Sequence, residues 1–162
     1  MSVNYPPASF IRRFAALIYD LLLAASIVVI AHLLLSVVLI IVAQSDVLNL
    51  EQYKEGLVGF LATYRSAHLL FLASTVAIFF MWFWTHGGQT LGMKAWRLRI
   101  QNDDGTPIHP RQAVVRVCFA LGGLGNLLIL VDWQNKRALQ DRLSDSMVVT
   151  LPKGENGPLK RR

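Results

Sequence analysis

The sequence predicts an all-α membrane protein with two transmembrane helices, a short broken apolar segment and a small cytoplasmic β element. Three observations predict it: two long apolar runs almost free of charge, a third interrupted by an arginine and several glycines, and basic residues crowded between them. Of the 162 residues, 54% are apolar and 16% charged, a balance too apolar for an ordinary soluble domain of this length. The formal charge of +6 has a membrane explanation, because each Lys or Arg near an anionic headgroup contributes on the order of 1 kcal/mol of attraction. The lipid bilayer is therefore the expected partner, and nucleic acid is not. One domain is expected over residues 1–151, followed by a basic tail at 152–162. The single cysteine, Cys118, excludes an intramolecular disulfide and is expected as a small packing residue.

The first span is expected at residues 14–43, where Leu21 to Val42 offers 22 residues with nothing more polar than Ser26, His32 and Ser36. At about 1.5 Å per residue this run covers roughly 30 Å, the thickness of the hydrocarbon core. A signal peptide has a shorter apolar run, so Arg12 and Arg13 read as the cytoplasmic anchor of a retained helix. Pro6 and Pro7 discourage helix before it.

The second span is expected at residues 67–85, ending in the aromatic cluster Phe79, Phe80, Trp82, Phe83 and Trp84, which suits the headgroup level. Residues 44–66 carry two Lys or Arg and residues 85–116 carry five. The positive-inside rule then puts both termini in the cytoplasm and the 44–66 loop outside.

The third run, residues 113–131, contains Arg116 near its start and Gly122-Gly123-Leu124-Gly125 in its middle. Its charge-free part, Val117 to Val131, has only 15 residues, a length that favours a re-entrant hairpin over a third span. Trp96 to Ile100 alternates apolar with basic, Asn102-Asp103-Asp104-Gly105 is a turn signal, and Ser146 to Leu151 is a β-branched run. If 96–101 and 146–151 pair in one small sheet, both ends of the third run lie on the same side of the membrane.

Asp20 is the most informative single residue, because a carboxylate within a membrane helix is costly and needs a partner. Arg13 lies seven residues earlier on the same face, with Ala16, Ala24 and Ala31 close to it, and small residues there allow close helix approach. Asp20 reads either as an anchor paired to a basic residue of another segment or as a cation or proton site, and His32 either as a hydrogen-bonded structural residue or as part of a proton pathway. Ser74 and Thr75 read as ordinary helix residues. Gly87 to Lys94 invites comparison with a phosphate loop, but the Lys-Ser/Thr pair is missing and no strand precedes it. No zinc, calcium or nucleophile-elbow pattern is present, so no enzyme, metal or cofactor is expected. Asp141, if the third run folds under the first helix, supplies a counter-charge for Arg13.

Three blocks together look familiar: Phe10-Ile11-Arg12-Arg13-Phe14-Ala15-Ala16 with Ile18-Tyr19-Asp20, then Gly88-Gln89-Thr90-Leu91-Gly92-Met93-Lys94 with Leu98-Arg99-Ile100, and Ala138-Leu139-Gln140-Asp141-Arg142-Leu143. The chain resembles the RDD family of bacterial membrane proteins, named for an arginine and two aspartates. The resemblance implies that Arg13 and Asp20 are the arginine and first aspartate, with Asp141, or alternatively Asp132, as the second. Gln140 stands where a histidine often precedes that aspartate, and Asp145-Ser146 replaces the more usual Gly-Thr, which weakens a proton relay through this segment. The expectation is a multi-pass inner-membrane protein, a non-enzymatic scaffold or interaction subunit packing against itself or another membrane protein through the Arg13, Asp20 and Ala24 face. The alternative is an oligomeric cation or proton transporter, since sodium/proton antiport has been proposed for some members.

Fusion reporters test the orientation: one at residue 162 is expected to report cytoplasm and one at residue 55 the opposite side, and a shared side overturns the topology.

Overall fold

The structure, a computed structural model, describes residues 5–45, 47–131 and 136–155. The first apolar run forms helix α1, Phe10–Ala43. It starts four residues earlier than expected, just beyond the two prolines, with the Arg13 amide bonding back to the Ser9 carbonyl at 3.2 Å. A short helix α2, Leu57–Thr63, adds an element that the expected scheme lacks. Helix α3 follows at Arg65–His86, two residues longer at the start and one at the end than the expected span.

Both long helices have the length and composition to cross a membrane, and their most apolar windows are only 6% and 0% buried inside the chain. Such surfaces are costly in water and are satisfied by acyl chains. The chain divides into two compact units, Leu23–Ile78 and a second formed by Met1–Leu22 with Phe79–Arg162. The Leu23–Ile78 unit consists of the second part of α1, from Leu23 to Ala43, the connection that holds α2, and the first part of α3, from Arg65 to Ile78.

The other unit holds the sheet. After helix α4, Leu91–Ala95, strand β1 runs from Leu98 to Asn102 and pairs antiparallel with β2, Ser146–Thr150, with Leu98 opposite Thr150 and Ile100 opposite Val148. The expected pairing of these two segments is present. On the other edge of β2 the N-terminal segment adds a bridge at Pro7 and Val149, with the Thr150 amide donating to the Pro6 carbonyl and the Ala8 amide to the Val148 carbonyl, both at 2.9 Å. Pro7 fits because it faces the ladder without needing an N–H. Ala8, Ala16, Met93, Leu98, Ile100, Ile108, Ala113 and Val148 form the buried apolar cluster of this unit, with Met81, Trp84 and Trp96 packed on it.

The third run forms an elbow. Helix α5, Pro110–Ala120, passes into a 3-10 stretch, Leu121–Leu127, and a single helical turn α6, Leu128–Val131, with the two limbs bent by 86°. Gly123 adopts φ +102°, and a side chain on it would run into Leu17 of α1. Helix α7, Leu139–Leu143, then leads into β2, so the segment that leaves the sheet after β1 returns to it. Cys118 is exposed rather than packed, because it lies on the outer side of α5. Asp132 lies outside the described residues.

Candidate functional site

The turn after α3 brings the Gly88 to Lys94 block against α1. Gly88, at φ +68°, lets the chain double back so that its carbonyl accepts the Ile100 amide at 2.7 Å, and the buried Gln89 side chain donates to the Leu98 carbonyl at 2.6 Å. Thr90 then caps α4. Its hydroxyl accepts the Met93 amide at 3.2 Å and donates to Asp20 Oδ2 at 2.5 Å, while the Gly92 amide donates to Asp20 Oδ1 at 2.9 Å. A methyl group on Gly92 would lie 2.8 Å from Asp20 Oδ1 and collide with the Ala16 carbonyl, so glycine is what permits the approach of α4 to α1. Lys94 is exposed. Asp20 is thus buried against neutral donors, and the basic residue of another segment that the anchor reading expected is replaced by two hydrogen-bond donors of the motif loop, which occupy both of its oxygens.

Arg13 points instead to α7. Its Nη1 meets Asp141 Oδ2 at 2.5 Å and its Nη2 donates to the Lys136 carbonyl at 2.9 Å. Arg116, from α5, meets the other carboxylate oxygen of Asp141 at 2.8 Å. The three side chains are 5%, 2% and 0% exposed for Arg13, Arg116 and Asp141, so this is a desolvated cluster of two cations and one anion. Hydroxyls and a ring face spread the surplus positive charge: Arg116 donates to Ser146 Oγ at 2.5 Å and lies 5.6 Å from the Trp84 ring centroid, and Ser144 Oγ lies 2.7 Å from Ser146 Oγ. Asp141 also accepts the Ala138 amide at 3.0 Å, closing the start of its own helix. Burial opposes ionisation of Asp141, but the Arg116 and Arg13 guanidiniums outweigh it and hold the carboxyl below the usual carboxylate range.

An arginine in the first helix, an aspartate seven residues on, and a second aspartate bonded back to that arginine now stand in one frame, and residues 7–145 match the profile of the RDD family. The chain belongs to the RDD family. No curated protein and no solved structure matches it. In this RDD protein the two departures from the family pattern have simple physical readings. Ser146, in place of threonine, keeps the hydroxyl that Arg116 uses. Asp145, in place of glycine, sits at φ +47° in the turn between α7 and β2, a left-handed conformation that aspartate tolerates better than most residues. Gln140 donates to Asn126 Oδ1 at 2.9 Å.

Sequence reasoning treated Arg116 only as a charge interrupting an apolar run; the signal was that very interruption, since a lone cation there requires a buried anion. It also passed over His68, whose ring nitrogen lies 3.1 Å from His32. Ser36 and Thr75 bond the carbonyl one turn back in their own helices, the ordinary helix role.

Because Asp141 serves two guanidiniums, its loss and the loss of Arg13 are unequal. Asp141→Asn is expected to destabilise the detergent-solubilised protein by about 3–5 kcal/mol, as for a broken buried pair, and Arg13→Gln by less, since Asp141 keeps Arg116. For the same reason, reversing both charges with Arg13→Asp and Asp141→Arg is not expected to restore the wild type, because the new arginine faces Arg116; chemical unfolding of all three variants checks this. The depressed Asp141 pKa adds stability above the unfolded value of about 3.9, and this contribution disappears as pH falls through the lower folded value. The thermal midpoint is therefore expected to hold from neutral pH to about 5 and fall below about 4, a fall missing from that variant's profile if Asp141 is its source.

Proposed function

We propose that this RDD-family protein is a non-enzymatic scaffold or interaction subunit of the bacterial inner membrane, with both termini and the small sheet on the cytoplasmic side. One observation carries the reading: the arginine and aspartates matched to the family pattern are spent on contacts inside the chain, tying α1 to the α4 loop, to α5 and to α7. Groups used this way set the shape of a membrane domain. The face expected to meet a partner needs revision: Arg13, Asp20 and Ala24 are buried within the chain itself, so another copy or a different membrane protein has to engage the outward apolar sides of α1 and α3. There, van der Waals packing and small-residue contacts rather than charge pairing would hold the complex.

A second reading, an oligomeric cation or proton transporter, is favoured by Asp20, whose partners are neutral and leave its charge without a fixed counter-ion. Two spans and an elbow provide little protein to enclose a polar path, hence the need for several copies.

Reconstitution in liposomes separates the two. The expected result is no sodium-dependent proton movement above that of protein-free vesicles, together with a mass in detergent larger than one chain or a defined complex with another membrane protein. Exchange that disappears on Asp20→Asn overturns the scaffold reading.

A further inference from the structure

Outside the Arg13, Arg116 and Asp141 cluster, the described residues of the Leu23–Ile78 unit hold a second pairing of titratable groups. His32 Nδ1 of α1 and His68 Nε2 of α3 are 3.1 Å apart, with ring centroids 5.1 Å apart and the rings tilted by 37°. Both side chains are half-buried, and both lie in the charge-free runs of their helices.

We propose that His32 and His68 form a proton-binding site between the two long helices, separate from the groups on which the scaffold reading rests. The chemistry follows from the contact. Two ring nitrogens at hydrogen-bond distance need one proton between them and one free lone pair to accept it. The neutral pair satisfies this, and so does the pair with one proton added, which becomes a charge-assisted hydrogen bond between an imidazolium and an imidazole. A second added proton sets N–H against N–H and cation against cation among apolar side chains, so it is taken up only at lower pH and only as the contact opens.

The surroundings reinforce that limit. No other titratable residue lies on α1 between Asp20 and Ala43, and α2 carries none. On α3, Arg65 precedes His68 by three residues, on the same side of the helix, and adds a like charge that opposes the second proton. Tyr64 precedes His68 by one helical turn, His86 closes the far end of α3, and the connecting residues contribute Asp46, Glu51, Tyr53, Lys54 and Glu55. No carboxylate lies within the helical residues of this unit to neutralise a doubly charged pair. The contact between α1 and α3 therefore persists with no added proton or with one, and is lost with two.

Nitrogen-15 NMR of the histidine-labelled full chain in nanodiscs of phosphatidylethanolamine and phosphatidylglycerol, titrated with acid, tests this. His86→Gln and His109→Gln identify the two other histidine signals. The expected result is that His32 and His68 take up protons in two steps separated by at least about one pH unit. In His68→Gln, the step of His32 is expected to shift by a similar amount. Joint titration of His32 and His68 at one pH, no uptake by either down to about pH 4, or a His32 step unmoved by His68→Gln each overturns the proposal; the first two need only the wild-type fold.

Discussion

Asp141 is the shared counter-charge of two arginines that come from different parts of the chain, and the arrangement of the sheet-bearing unit depends on that one carboxylate. An unpaired guanidinium removed from water costs several kcal/mol, so neither Arg13 nor Arg116 can stay in its place alone. With Asp141 between them, the start of α1, the first limb of the elbow and α7 are held at one point. Hydroxyls of the β2 side complete the shell, with Ser146 on the strand itself and Ser144 just before it. The charges thus act as a fastening inside a small unit whose apolar cluster draws heavily on two short strands and on small alanines.

Asp20 makes a second fastening on a different physical basis. Among the described residues no cation meets it; two fixed donors do, and they are available because Gly92 has no side chain to keep α4 away from α1. The cluster relies on charge and this contact on close approach, so the two respond differently to change. Any side chain at position 92 is a steric problem, whereas position 141 requires a negative charge.

What the sequence made legible depended on how local the signal was. The two spans follow from uninterrupted apolar runs, and the pairing of Leu98–Asn102 with Ser146–Thr150 follows from alternation and β-branching. The elbow was legible in outline because Arg116 and the glycines spoil a continuous helix. The bond between Arg13 and Asp141 was legible only through the expected fold, with the third run turning back under the first helix, and the likeness to a family then matched the same two residues, since nothing local to Arg13 points 128 residues downstream. The partners of Asp20 were missed for a related reason: a charge in an apolar run announces that it needs a donor but not which one, and a threonine hydroxyl and a glycine amide carry no charge to count. His68 went unread because it lies close to the start of its run, next to Arg65, where a polar residue needs no special account. The short helices α2, α4 and α7 are each of seven residues or fewer, too brief for periodicity to declare them.

Strand β2 lies between β1 and residues Pro6 to Ala8, so the segment that precedes α1 is clipped to a strand made long after it. Arg13 waits for Asp141 across the same interval of 128 residues. At about 5–20 residues per second of synthesis, the ribosome needs on the order of ten seconds to supply the missing anion. During that time Arg13 lacks its carboxylate, whereas Asp20 meets its donors sooner, 70 and 72 residues after it. Completion of this unit thereby waits until Asp141 has been made, and a chain truncated shortly before residue 141 leaves the ribosome with α1 still lacking that anchor.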